Sequence, residues 1–350
     1  MRQDSSLRPR RAGRRFSGRW LSCAILLALH ARPAALDAQA THLLIVSGLG
    51  GEPQYSEQFR HLGLSLVDVA RKKYAMADSD VVYLAEDGAK DPRIAGASTK
   101  VNVEAALARF ARRVRPGEQL VVILIGHGSG SEEESKISLP GPDMSAKDFA
   151  RDLAPFSAEQ IGFVDLTSAS GDMLAALSGP NRVIITATKS SFERNESVFA
   201  KYFVAALTSD GADIDKDGRV SLLEAYHYAV AETKRYYDDQ GRLQTEHAQL
   251  DDDGDKKGTA DPDVRVASGG DGAVARRIFL GGGVYATMAG ANDPRLAALY
   301  KDRFAIEGRI EELKKRKATL GADEYDNALE NLLVELAMKS KAIRAMEGRS

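Results

Sequence analysis

The feature that most narrows the fold is a series of short, almost uninterrupted apolar segments separated by amphipathic ones. HLLIVSG (His42–Gly48), VVYLAED (Val81–Asp87), QLVVILIGHGS (Gln119–Ser129), QIGFVDL (Gln160–Leu166) and NRVIITAT (Asn181–Thr188) read as five strands. SEQFRHLGLSLVDVARKKY and VNVEAALARFARRV space their apolar residues three and four apart, as a half-buried helix does, and SVFAKYFVAAL (Ser197–Leu207) reads as a further helix. Strands that are apolar on both sides and alternate with helices predict an α/β domain, a mostly parallel sheet with helices on both faces. Ligands bind such sheets at the carboxyl ends of the strands. That rule singles out GHGSG, after the third strand, and LTSASG (Leu166–Gly171), after the fourth.

The first forty residues follow a different logic. Eight arginines and two acids surround the apolar run LSCAILLAL (Leu21–Leu29), and Ala38-Gln39-Ala40 follows. A basic start, a short apolar centre and a small-residue exit predict a secretory signal over residues 1–40, with the mature chain beginning near Thr41 in the periplasm or outside the cell. The apolar run is shorter than the roughly 20 residues a membrane span needs, so no span is expected in the mature chain. Cys23, the single cysteine, would leave with the signal, and no disulfide or thiol would remain. Taking the signal's charges from the chain's 48 basic and 50 acidic residues leaves 40 and 48, a net charge of −8. That balance argues against nucleic acid as a partner.

The motif with the most specific spacing is DIDKDGRVSLLE, Asp213 to Glu224. It fits the twelve-residue calcium loop of an EF-hand. Asp213, Asp215 and Asp217 stand at positions 1, 3 and 5, and Gly218 at the sharp turn. Arg219 offers its backbone carbonyl, Ser221 acts through water, and Glu224 closes the loop bidentately. Helical patterns flank it on both sides, so Ca²⁺ is the expected cofactor. Asp251 to Asp255, in DDDGDKKG, alternates acids without the glycine or the closing glutamate, and reads either as a second, irregular calcium site or as a solvated acidic loop. His42, His61, His227 and His247 have no zinc-ligand spacing.

After a Gly/Asp-rich stretch, residues 294–350 carry two apolar stripes at helical spacing. Leu299, Ile306, Ile310, Leu313 and Leu320 form one; Leu329, Leu332, Leu336, Ile343 and Met346 form the other. They predict an antiparallel, coiled-coil-like hairpin that packs on itself, on the main domain or on a second copy in a homo-oligomer. The expected division is therefore 1–40 signal, 41–207 α/β domain, 208–293 calcium loop and its continuation, and 294–350 hairpin.

A His-Gly after one strand and a small-residue Ser-Gly turn after the next resemble the caspase-like cysteine peptidases, and the legumain-like members among them. The resemblance covers roughly residues 41–207. It implies a caspase-like sheet in which His127 handles protons and backbone N–H groups at Gly128 and the turn, closed by Gly171, hold an oxyanion. The family's Cys-x-Ser-Gly pattern falls on Ser168-Ala169-Ser170-Gly171, with Ser168 in the cysteine position. A hydroxyl needs a well-placed base where a thiol needs little help. Three readings stand open: a peptidase homologue that binds a peptide or protein without cutting it, an active peptidase with Ser168 as nucleophile and His127 as base, and a non-enzymatic calcium-stabilised scaffold. Asp165 either orients His127 or bonds backbone as a buried acid, and Asp172 is expected to cap the helix that follows Gly171.

Overall fold

The computed structural model describes residues 40–346 except 75, 89, 132–133, 157–159, 210, 215–218, 263–269, 282–294 and, within the next helical stretch, 296–297, 300–301, 304, 307–308, 311–312 and 314–315. The expected signal segment lies outside the described residues, as do Asp215, Asp217 and Gly218 of the calcium loop.

Five apolar strands form the centre of a seven-stranded sheet: β1 (Thr41–Ser47), β2 (Val81–Ala85), β4 (Gln119–Ile125), β8 (Gln160–Asp165) and β9 (Arg182–Thr186). β3 (Gly96–Ala97) and the antiparallel β10 (Gln249–Asp251) complete it, in the order β10-β9-β8-β4-β1-β2-β3. All other pairings are parallel. Because successive side chains alternate across a strand, β1 sends Leu43 and Ile45 to one core and Leu44 and Val46 to the other. The first core holds Phe59 and Leu66 of α1 (Pro53–Lys72), Phe203 of α5 (Phe199–Thr208) and Tyr226 of α6 (Leu222–Asp239). The second holds Leu107 and Phe110 of α2 (Lys100–Ala111), Phe149 of α3 (Ala146–Leu153) and Leu177 of α4 (Asp172–Leu177). The α/β class with helices on both faces is thus what the apolar pattern implied.

A second, three-stranded antiparallel sheet grows out of the end of β4: β5 (Gly128–Ser131), β6 (Glu134–Ile137) and β7 (Met144–Ser145). At the C-terminus, α7 (Ala322–Met346) lies antiparallel to the preceding helical stretch, as pairing of Lys339 with Asp302 and of Arg309 with Glu335 shows. Ile306, Ile310 and Leu332 form the small apolar cluster between them. Among the described residues no helix is long and apolar enough to cross a membrane.

Candidate functional site

Register places the two expected motifs side by side. β4 and β8 are parallel neighbours with Leu124 opposite Asp165. Three residues further along each chain lie His127 and Ser168, so both emerge at the same height on the carboxyl edge of the sheet. The backbones meet closely there. A Cβ on Gly128 would stand 2.0 Å from the carbonyl oxygen of Ser168, and one on Gly171 would stand 2.1 Å from the amide of Ser190. Only glycine fits at either position. Between them Ala169 takes a left-handed conformation, φ 55°, which costs a residue with a Cβ about 1 kcal/mol.

That turn is held from several sides. The Ala169 N–H donates to the carbonyl of Glu193 at 2.8 Å. The Ser170 hydroxyl accepts from the amides of Ala187 and Thr188, at 3.1 and 3.3 Å, tying the turn to the end of β9. The Ser135 hydroxyl, on β6, donates to the carbonyl of Ala169 and accepts from the amide of Asp172. The turn is therefore shaped by the neighbouring segments as much as by its own sequence.

Its three hydroxyls have separate employments. Thr167 donates its Oγ1 hydrogen to Oδ1 of Asp165 at 2.7 Å. Ser168 Oγ accepts from the Gly128 amide at 3.1 Å and donates to the Gly128 carbonyl at a long 3.4 Å. Ser170 is committed to β9. Among the described residues none of these hydroxyls bonds to His127. Ser168 is also buried, with 2% of its surface exposed. His127 is half-buried, its ring edge-on to Tyr55 and Phe59 of α1 at centroid distances of 5.0 and 5.1 Å. The register thus sets His127 and Ser168 on neighbouring strand ends, and Ser168 bonds to the Gly128 backbone rather than to the histidine.

The nearby carboxylates divide as follows. Asp165 is fully buried and does not orient His127: its Oδ1 takes both the amide and the hydroxyl of Thr167. Its Oδ2 is buried with no hydrogen-bond partner. Burial raises its pKa to about 7, against the opposing pull of the two Thr167 bonds. Asp172 is not the expected cap; Gly171 holds that position of α4, no side chain caps it, and Asp172 is the first helical residue. The cap fails because Gly171 is already in helical backbone conformation, whereas a side-chain cap needs an extended one.

Sequence reasoning missed the residues that buttress the site. Tyr55 and Phe59 lie far from His127 in sequence, and Glu193 reaches His247, with Oε1 2.6 Å from Nδ1 and Oε2 accepting its amide at 3.0 Å. The only available signal for Tyr55 and Phe59 was their four-residue spacing on one helix face. None existed for Glu193 and His247, which are 54 positions apart.

Of the segment expected to bind calcium, the two ends are among the described residues. α5 precedes it and α6 follows, and Asp213 is buried. Glu224 sits at the third position of α6 in a reciprocal capping box: its Oε2 accepts from the amide and hydroxyl of Ser221, and its Oε1 accepts from Ile214 N–H at 2.9 Å. The Glu224 carboxylate therefore reaches back to the residue after Asp213. The Arg219 guanidinium stacks 3.8 Å from the Phe279 ring centre. Asp251, Asp253 and Asp271 also converge, with carboxylate oxygens within 4.8 Å of one another. Burial and the neighbouring acids raise Asp271 to about 7.

No protein-family model matches the chain, and no curated protein matches it. Among solved structures it is similar to the Drosophila initiator caspase Dronc, at 11% identity and TM-score 0.39, over 64% of this chain and 87% of Dronc. It is also similar to drICE, at 8% identity and TM-score 0.35, over 62% and 89%. Raptor of Chaetomium thermophilum follows at 10% identity and TM-score 0.34, over 49% of this chain and 18% of Raptor. At these scores the fold is carried by its own strand order and register rather than by the likeness.

Proposed function

We propose that this chain is a caspase-like peptidase homologue that binds a peptide or protein at the His127–Ser168 edge without cleaving it, and that a calcium ion staples the segment behind the sheet. The observation that carries the first part is the bonding of Ser168. A serine nucleophile needs a base at hydrogen-bond distance to take its proton. Ser168 instead shares its hydroxyl with the amide and carbonyl of Gly128. An oxyanion would need that same amide as its donor, so the hydroxyl blocks the place where catalysis would stabilise charge. The His127 ring, half-buried against two aromatic rings and with no hydrogen bond of its own among the described residues, remains available to a ligand. Phe192, 63% exposed in the segment whose Glu193 carbonyl holds Ala169, offers exposed apolar surface in the segment that supports the turn.

Calcium fits the residues present: Asp213, Asp215, Asp217, the Arg219 carbonyl, Ser221 and Glu224 would hold it. When bound, the ion supplies charge to cross-link the loop between α5 and α6. Its role is structural, since the residues that would hold it join α5 to α6 and do not include those of the Ser168 turn. The basic, apolar and small-residue leader supports delivery to a calcium-rich exterior.

The test is digestion of a broad peptide library by the protein in calcium, read by mass spectrometry, beside Ser168→Ala and His127→Ala. The expected result is no cleavage by any of the three, together with peptide capture that His127→Ala weakens. Cleavage by the parent that disappears in both variants would overturn the binding reading in favour of an active serine peptidase.

A further inference from the structure

We propose that the cleft between the C-terminal hairpin and the main domain binds a small organic anion, a carboxylate or phosphate attached to an apolar group. The cleft has a volume of about 760 Å³, a size common to small-molecule sites. Its lining includes three guanidinium groups, Arg277, Arg309 and Arg316, and two leucines, Leu313 and Leu332. Arg277 comes from the short turn Ala275–Arg277 on the main domain, while the remaining four residues come from the hairpin. The site therefore exists only where the two parts meet.

Among the described lining residues three guanidinium groups stand against one carboxylate, Glu335. Arg309 pairs with Glu335 at 3.1 Å, but both are well exposed, 60% and 43%, and an exposed pair of this kind is weak and easily exchanged. Neither Arg277 nor Arg316 has a carboxylate partner among the described residues. The Arg277 Nε is moreover buried with no acceptor. A guanidinium donor removed from water and left unpaired is costly. Two guanidinium groups with free donors form the planar, multi-donor arrangement that recognises carboxylate and phosphate. The lining leucines, part of the hairpin's apolar cluster, set the second requirement: the anion must carry an apolar body. Inorganic anions meet only the first.

The full chain is titrated by calorimetry with phenyl phosphate and with phenylacetate, which separate the two head groups, and with inorganic phosphate and benzyl alcohol as the polar-only and apolar-only probes. Saturable binding of one of the first two is expected, tighter than that of inorganic phosphate and absent for benzyl alcohol. Arg277→Met and Arg316→Met should each weaken it by at least about tenfold, the loss expected of a charge-assisted hydrogen bond. Arg316 is exposed, so its variant tests the site even if Arg277→Met lowers stability. The proposal is overturned if neither aryl anion binds, if benzyl alcohol binds equally well, if inorganic phosphate binds as tightly as phenyl phosphate, or if both arginine variants leave the affinity unchanged.

Discussion

Asp165→Asn gives the most direct reading of the energetics under the candidate site. In the folded chain burial holds the Asp165 carboxyl at about 7, against about 3.9 when unfolded. A raised folded pKa means that the native state holds the proton more tightly. The resulting stability is fully present below about pH 4 and is lost as pH rises through about 7. Between about pH 5.5 and about pH 7.5, two-site linkage puts the loss from this group at about 2 kcal/mol. In melting temperature that corresponds to about 4–8 °C for a domain of this size class. Asparagine cannot titrate, yet its amide oxygen can still accept from Thr167 N–H and Oγ1, the two donors that Asp165 Oδ1 serves. Its amide nitrogen replaces the unpartnered Oδ2 at a cost that does not vary with pH. Asp271, Asp252 and Glu246 are also raised by burial, so the parent's own pH slope contains several groups. The difference between parent and variant isolates Asp165. Urea unfolding at the two pH values should show the variant gaining about 2 kcal/mol on the parent as pH is raised. A parent–variant gap that stays constant across that range would falsify the assignment of a buried, protonated carboxyl.

Glu224→Gln should cost little without calcium, about 1 kcal/mol, because the amide oxygen keeps one of the capping bonds. In calcium the gap to the parent should widen by the lost ligand-linked stability; melting curves with calcium and with chelator check it, and an equal gap in both would refute calcium ligation by this residue. Gly171→Ala places a methyl against the Ser190 backbone and should lower stability by about 2 kcal/mol or more, since backbone on both sides limits relaxation. Unfolding at the parent's urea midpoint would show that the turn yields more easily than its contacts indicate.

The parts of the fold that were legible in the sequence are those whose side chains repeat. β1, β4 and β8 are buried on both faces, and their runs of Val, Ile and Leu mark them without reference to partners. β5, by contrast, is Gly-Ser-Gly-Ser; nothing in its composition announces a strand, because its pairing is fixed by β6 across the hairpin. β10 is three residues long and antiparallel, too short for periodicity to register. At the site the same division holds. The glycines and small residues of GHGSG and LTSASG state where backbones approach, and the structure puts them there. Which hydroxyl bonds to what could not be read, since Ser168, Thr167 and Ser170 differ only in the direction their side chains leave a turn bent by the left-handed Ala169.

That distinction explains how such a site can keep its shape while its chemistry changes. The conformation of Ser168–Gly171 is set by groups other than the Ser168 side chain: the Glu193 carbonyl, the amides at the end of β9, Ser135 on β6, and the steric demand for glycine at 128 and 171. A residue at 168 can therefore be exchanged for another small one without unravelling the turn. What the exchange alters is where the terminal atom of that side chain finds a partner. A hydroxyl is a good hydrogen-bond donor and acceptor, and both of its capacities are met by Gly128. A thiol is weak in both, and would leave the Gly128 amide freer to serve a ligand oxygen. With serine at this position the Gly128 amide is already engaged by a hydroxyl, and that amide is the donor a tetrahedral intermediate would require; this engagement is the physical basis for proposing binding rather than cleavage.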